Sequence, residues 1–424
     1  MPPRTIRPER QQPDLSNIIF RDDKQRTMYL NLYKRSVVPT KYVDINCLQT
    51  LGLTESVSWL LNNTGLYNLC TQPNPTFEPL VLEFLSSFSY STDIEDPYTT
   101  GTASFRMFNR EYTLDQEQIA EALGFSQGDG IYYKPFEAED DIPAWEEQGL
   151  QFWEEISGEA ANGWRLLYAS HVHNPAIRYF HRILAHTIFG RTYNHKVTKN
   201  ELFFLYCALT GSRVNAAPFM LSHFQLCAQT AGNNPFLFGG IITAIAYSLG
   251  LADEILTLAH HLMPAQFLDE VYCRDSHLIL PRQGENRFTL LVNKVLVPSI
   301  ILPCPHLINV QNRNRWLFDL NAPEAENNAP VDEMEEEMNN NQQNHLTMET
   351  LYQTMQQMQN QQNATFALVQ QMHNNYNTLN ANVIDLGVSM HSLHLRLDEF
   401  VPPQRQDERR PRTRGRGRRP HRND

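Results

Sequence analysis

Between about residue 26 and residue 320, apolar positions recur at helical spacing, and most of the runs have recognisable starts and stops. Thr54 is placed to cap a helix carrying Val57, Leu60 and Leu61, with Gly65 just past its end. Thr113-x-x-Gln116 has the form of a capping box ahead of Ile119, Ala120 and Leu123, closed by Gly124. Asn174-Pro175 sets a capping side chain before a proline at the first helical position, and Ile177, Phe180, Leu184 and Ile188 then share one face. Thr198-x-x-Glu201 is a second capping box, opening Leu202-Phe203-Phe204-Leu205. Further helices are expected over about 216–230, 235–250 and 253–262. Strand signal is sparse. Ser104 to Phe108 and Tyr112 to Leu114 flank Asn109-Arg110 as a small hairpin, and a second β segment is expected around His277–Leu280 and Phe288–Leu291. The expected fold class is therefore mainly α: a multi-helix globular body with minor β, followed by a long coiled-coil helix and flanked by disordered termini.

The pattern changes abruptly after Leu320. Residues 321–346 are rich in Asn, Gln and Glu, include Asp332-Glu333-Met334-Glu335-Glu336-Glu337, and read as an acidic linker. From Met348 a 3-4 alternation of apolar residues sets in and defines a coiled coil over 347–400. Met348, Met355, Gln362, Val369, Tyr376, Val383, Met390 and Leu397 occupy the a positions. Leu351, Met358, Thr365, Met372, Leu379, Leu386, Leu393 and Phe400 occupy the d positions. A seven-residue repeat held this long is best satisfied by supercoiling with a partner, as a rod of roughly 80 Å. The e and g positions carry almost no charge, as at Gln359, Gln361, His373, Asn375, Asn380 and Asn382, which favours self-association over a designated charged partner. Gln362 is a register-setting candidate. Leucine at most d positions suits a parallel dimer, while Phe366 and Leu368 widen the apolar face and leave a trimer open. The competing structure is one long helix folded back on the body.

Charge sharpens the picture at the ends. The formal net charge of −12 argues against a whole surface built for polyanions, yet nine arginines crowd the last twenty residues. They are Arg405, Arg409, Arg410, Arg412, Arg414, Arg416, Arg418, Arg419 and Arg422, interrupted by Pro411, Gly415, Gly417 and Pro420. Guanidinium groups bind phosphates in a bidentate fashion, and Gly/Pro spacing keeps a backbone extended along a strand. Residues 401–424 thus read as a disordered tail that contacts RNA or DNA without sequence preference, or as a nuclear import signal. Residues 1–25, rich in Pro, Arg, Gln and Asp, read as a disordered arm.

Candidate chemistry is thin. The six cysteines (Cys47, Cys70, Cys207, Cys227, Cys273, Cys304) lack any C-x-x-C pair and read as buried free thiols. His171, His173, His181, His186, His260 and His261 invite a metal reading, but no carboxylate or thiol completes a set at ligand spacing, and five residues should put His181 and His186 on different helix faces. No phosphate-cradling loop, nucleophile elbow or aspartic-protease triplet occurs. No catalytic residue, cofactor or metal is therefore expected. Neither a secretory leader nor an apolar run of about 20 residues is present, so a nuclear or cytoplasmic protein is expected, not a secreted or membrane one. The richest stretch, Phe236 to Leu251, reads as a buried helix.

The body's motifs resemble the first open reading frame product of plant retrotransposons of the Athila type, and a similar block described as a plant transposon protein domain. The resemblance is carried by Leu82-Glu83-Phe84-Leu85-Ser86-Ser87-Phe88, Phe105-x-x-Phe108, and Tyr112-Thr113-Leu114 leading into Ile119-Ala120-Glu121-Ala122-Leu123-Gly124-Phe125. It continues through Asn174-Pro175-Ala176-Ile177-Arg178-Tyr179-Phe180, Gly190-Arg191, Gly239-Gly240-Ile241-Ile242-Thr243 and Leu249-Gly250-Leu251. The resemblance implies a structural or accessory retroelement protein and brings no catalytic residues with it. The absent zinc knuckle departs from retroelement capsid polyproteins. Two functions are therefore expected as alternatives: a self-associating protein that contacts nucleic acid weakly through its tail, or a domesticated nuclear adaptor whose body binds a protein and whose tail serves only import.

Overall fold

The computed structural model describes residues 18–92, 100–125, 143–191, 193–230 and 234–323, with isolated positions 13, 15 and 232. All belong to the first of the chain's two units, Met1–Asn327. The expected coiled coil, the arginine tail, most of the acidic linker and most of the arm lie outside the described residues.

The chain opens with α1 (Asp23–Tyr33), β1 (Lys41–Val43), α2 (Ile45–Leu51), α3 (Thr54–Asn63) and α4 (Tyr67–Thr71). Then come β2 (Thr76–Phe77), α5 (Glu78–Ser87), β3 (Ser89–Thr92), β4 (Gly101–Met107), β5 (Arg110–Asp115) and α6 (Gln116–Ala122). The helical middle of the body consists of α7 (Pro143–Ser157), α8 (Pro175–Ile183), α9 (Lys199–Thr210), α10 (Ala217–Gln229), α11 (Gly239–Ser248) and α12 (Ala252–Leu256). The last stretch is β6 (Leu262–Met263), β7 (Gln266–Leu268), α13 (Glu270–Asp275), β8 (Ile279–Pro281), β9 (Phe288–Val292), β10 (Val295–Leu302) and α14 (Pro305–Ile308). Helices carry about half of the described chain, and the strands form four small sheets. Two of these are three-stranded antiparallel meanders, β3-β4-β5 and β10-β9-β8. The other two tie the ends of the body together: β1 pairs parallel with β7, and β2 antiparallel with β6.

The core is organised around α5. Every residue from Leu80 to Ser87 is buried, and the helix packs against α1, β4, α10 and α11. The Phe84 ring lies 4.7 Å from Phe105, 5.1 Å from Phe88 and 5.6 Å from Phe224, centroid to centroid. A helix buried on every side has no single apolar stripe, so its sequence carries no clear 3.6-residue period to detect. Helix α11, at the richest apolar stretch, is buried as expected, with Ile241, Ile242 and Ile245 fully covered. Its first residue must be glycine, because a Cβ at Gly239 would collide with the Thr76 side chain of β2.

Several starts and stops differ in detail from expectation. Thr54 begins α3 but makes no capping bond. The capping box before α6 is formed by Asp115 and Gln118, not by Thr113 and Gln116, because Thr113 is engaged in β5 opposite Ser104. The hairpin turn sits at Phe108-Asn109, one residue early, with φ of 51° and 64°. Both values are positive, as a two-residue turn that matches the strand twist requires. A second such turn, Asn293-Lys294, joins β9 to β10. Strand β10 was invisible in the sequence because Pro298 interrupts its run; the ladder shifts register between Val297 and Ile301, which accommodates it. No described helix is long and apolar enough to cross a membrane.

Candidate functional site

The tail arginines and the coil positions lie outside the described residues, so the described site chemistry belongs to the body. It centres on α8 and the turn that extends it. Asn174 caps this helix, accepting from Ala176 N (2.9 Å) and Ile177 N (3.4 Å), and Pro175 takes the first helical position. The same side chain donates to the carbonyls of Ile308 (3.1 Å) and Arg315 (2.8 Å), so one buried amide also pins the body's last turns. Arg178 is fully buried and donates to the carbonyls of Leu291 and His277. Burial, and then the neighbouring Arg182 charge, push its guanidinium down to about 9.

After Ile183 the helix widens into one π-helical turn, Leu184–Ile188. On either side of the start of this turn, His181 and His186 each reach a buried polar partner, Glu201 for His181 and Tyr272 with Asn194 for His186. His186 Nε2 lies 2.9 Å from Tyr272 Oη and 2.6 Å from Asn194 Nδ2, and Arg182 donates to the Asn194 backbone and side-chain oxygens. The turn ends at Gly190, whose φ is +48°; a Cβ there would lie 2.6 Å from Phe238 Cδ1.

Glu201 closes the network. Its carboxylate is fully buried and accepts from Arg191 Nη1 (2.5 and 2.6 Å), His181 Nε2 (3.2 Å) and Thr198 N (2.8 Å). Burial works to raise its pKa, but His181, Arg191 and the Thr198 N–H outweigh it and hold the group down to about 2. The capping box with Thr198 was legible; the second task, anchoring Arg191 and His181, was not. A signal exists: no Asp or Glu lies between Ala160 and Asn200, so Glu201 is the first downstream carboxylate for the cations of that run. The hollow beside this lock, between Arg178, Arg182 and Tyr272, has no volume open to a water-sized molecule. The bonds of this set position backbone; two ring nitrogens, His181 Nδ1 and His186 Nδ1, are buried without a hydrogen-bond partner among the described residues, and the hollow has no room for a ligand.

Two openings among the described residues do have room. A cleft of about 510 Å³ is bordered by Tyr29, Tyr33, Glu78, Glu83, His260 and His261. Glu83 is committed there, accepting from Phe108 N (2.9 Å) and Asn109 N (2.7 Å), the two residues of the strained turn. Burial raises its pKa. A groove of about 250 Å³ is bordered by Arg35, Arg191, Tyr193, His223, Leu226 and Cys227. Arg35 lies 3.9 Å over the Phe236 ring and donates to the carbonyls of Asn234, Cys227 and Thr230, closing the end of α10. Cys227 Sγ is 3.4 Å from His223 Nε2. Burial pushes the thiol up to about 11 and the imidazole down to about 4, so both are neutral near pH 7. A nucleophilic cysteine needs the opposite shift. The other five cysteines are free and buried. Among the described residues, no group of three or more His, Cys, Asp or Glu is placed to hold a metal ion.

Residues 20–215 match the sequence model of the ATHILA ORF-1 family. No curated protein and no solved structure matches the chain. The matched span runs from just before α1, through α5, the β4–β5 hairpin and the whole α8–π-turn–α9 lock, to the residues before α10.

Proposed function

We propose, from the premise that residues 20–215 are those of an Athila-type retrotransposon ORF-1 protein, that this chain is a self-associating accessory protein of a plant retroelement that holds nucleic acid through its tail. The family is one of non-catalytic retroelement proteins, and the observation that carries the proposal is this match. The buried lock and the neutral Cys227–His223 pair agree with a body that provides shape in place of turnover. Self-association is assigned to residues 347–400, where the a/d series runs from Met348 to Phe400. Nucleic-acid contact is assigned to Arg405–Arg422. A single such tail binds weakly, and joining tails through the adjacent coil multiplies their local concentration.

The test is the salt dependence of RNA and DNA binding by the full chain against a chain stopped at Phe400. Each phosphate contact on a single strand contributes about 0.7 to the slope of log K against log salt. Stopping at Phe400 is expected to weaken binding and flatten that slope. If the truncation changes neither, the tail is not the nucleic-acid arm. If neither chain binds, the tail is an import signal and the body's partner is a protein.

A further inference from the structure

Between Ala160 and Asn200 the chain carries six Lys/Arg and five His without one Asp or Glu, although its formal net charge is −12. Arg178 and Arg182 are consumed in the buried lock. Arg191 is paired with Glu201, and the remaining three, Arg165, Lys196 and Lys199, come to the surface together, because two loops are laced side by side. Tyr168 and Lys196 pair as an antiparallel bridge, Val197 N donates to Leu167 O (2.8 Å), and Ala169 N donates to His195 O (2.9 Å). Lys196 Nζ donates to the Arg165 carbonyl (2.9 Å) and lies 5.1 Å over the Tyr168 ring. Lys199 Nζ lies 5.2 Å over the Trp164 ring. Arg191 Nη2 donates to the Tyr193 carbonyl (2.9 Å), and the Tyr193 side chain stands 70% exposed.

We propose that this face of the body is a binding site for single-stranded nucleic acid, with phosphates on Arg165 and Lys196 and an unstacked base on Tyr193. Each ammonium has three donors, so the bond from Lys196 to Arg165 leaves two for a phosphate. The Tyr168 ring beneath Lys196 holds that cation in place, which lowers the entropy lost when it meets an anion. The two carboxylates that bound the run are occupied elsewhere: Glu159 bonds to His171, and Glu201 lies fully buried behind Arg191. Tyr193 and Arg191 also line the 250 Å³ groove, whose described walls contain no carboxylate. An exposed aromatic ring in the same loop as Lys196 suits a strand whose bases are free to stack outward, whereas a duplex keeps its bases stacked internally. The inference is independent of the arginine tail.

The test is ultraviolet cross-linking of the full chain to oligo(dT), with adducts mapped by mass spectrometry, beside salt titrations of two full-length variants. Adducts are expected on the peptide holding Tyr193. Tyr193→Ala is expected to weaken binding by about tenfold, the effect of losing one stacked base. R165Q/K196Q is expected to reduce the slope of log K against log salt by about 1.4, one contact for each cation lost. Both variants must melt cooperatively as the parent chain does. If they do, and the slope and the affinity are unchanged, the proposal is overturned. Adducts confined to the tail also overturn it, while adducts at Tyr193 without any on the tail would uphold it and sink the tail instead. Capture of an acidic peptide in place of oligo(dT) would make the face a protein-docking surface and would likewise overturn it.

Discussion

Two buried glutamates, Glu201 in the lock beneath the π turn and Glu83 behind the β4–β5 hairpin, lose comparable hydration and meet opposite fates. Glu201 faces a guanidinium and an imidazole, and its pKa falls to about 2. Glu83 meets two backbone N–H groups, with the Arg106 charge a lesser influence, and its pKa rises. What decides the sign is the charge of the partner, since two neutral donors do not fully replace water around a carboxylate. The consequences for pH run in opposite directions. Glu201 stabilises the fold above the ordinary carboxylate value of 4.5, and that stability is lost as pH falls from there toward 2. Glu83 contributes most below 4.5 and loses that contribution as pH rises through its folded value.

Removing Glu201 should therefore break the comparison most sharply. Glu201→Ala strands the Arg191 guanidinium and uncaps α9, and is expected to destabilise the body by about 3–5 kcal/mol in denaturant unfolding. A loss below about 1 kcal/mol would mean that the lock is ornamental. His186 sharpens it next. Burial, and then the Lys41 and Arg182 charges, hold its imidazole down to about 3 from an ordinary 6.5. The unfolded chain takes a proton that the folded chain refuses, so stability is intact above pH 6.5 and is lost as pH falls toward 3. By pH 5 this amounts to about 2 kcal/mol from His186. His186→Gln should remove about one proton from the uptake that accompanies unfolding at pH 5; an unchanged uptake would place the charge elsewhere. The smallest effect belongs to Glu83. Glu83→Ala frees two turn N–H groups but also relieves a desolvated carboxyl, so a loss of about 1–2 kcal/mol is expected. A loss matching that of Glu201→Ala would erase the distinction between the two sites.

The sequence exposed those parts whose physics is local. The caps at Asn174 and Thr198 are local hydrogen-bonding devices, and both appear in the structure with the expected partners. The Athila resemblance includes Asn174–Phe180 and Gly190-Arg191, which open the helix and follow the π turn that carry the lock's histidines. Features that depend on distant partners were not legible. Helix α5 lacks a period because it is covered on every side. Strands β1, β2, β6 and β7 have two or three residues each and exist only by pairing across the chain. The buried polar partners of His181 and His186 come from other segments, and the basic face requires a bridge between Tyr168 and Lys196; neither leaves a pattern in its own segment.

The proposed seat of assembly is residues 347–400. Its most direct test is the molar mass of the full chain in solution, by sedimentation, beside a full-length variant carrying Leu379→Asn, Leu386→Asn and Leu393→Asn. A dimer or trimer is expected for the parent and a monomer for the variant, with the body's cooperative unfolding unchanged. A monomeric parent, or a variant that still assembles, would contradict it.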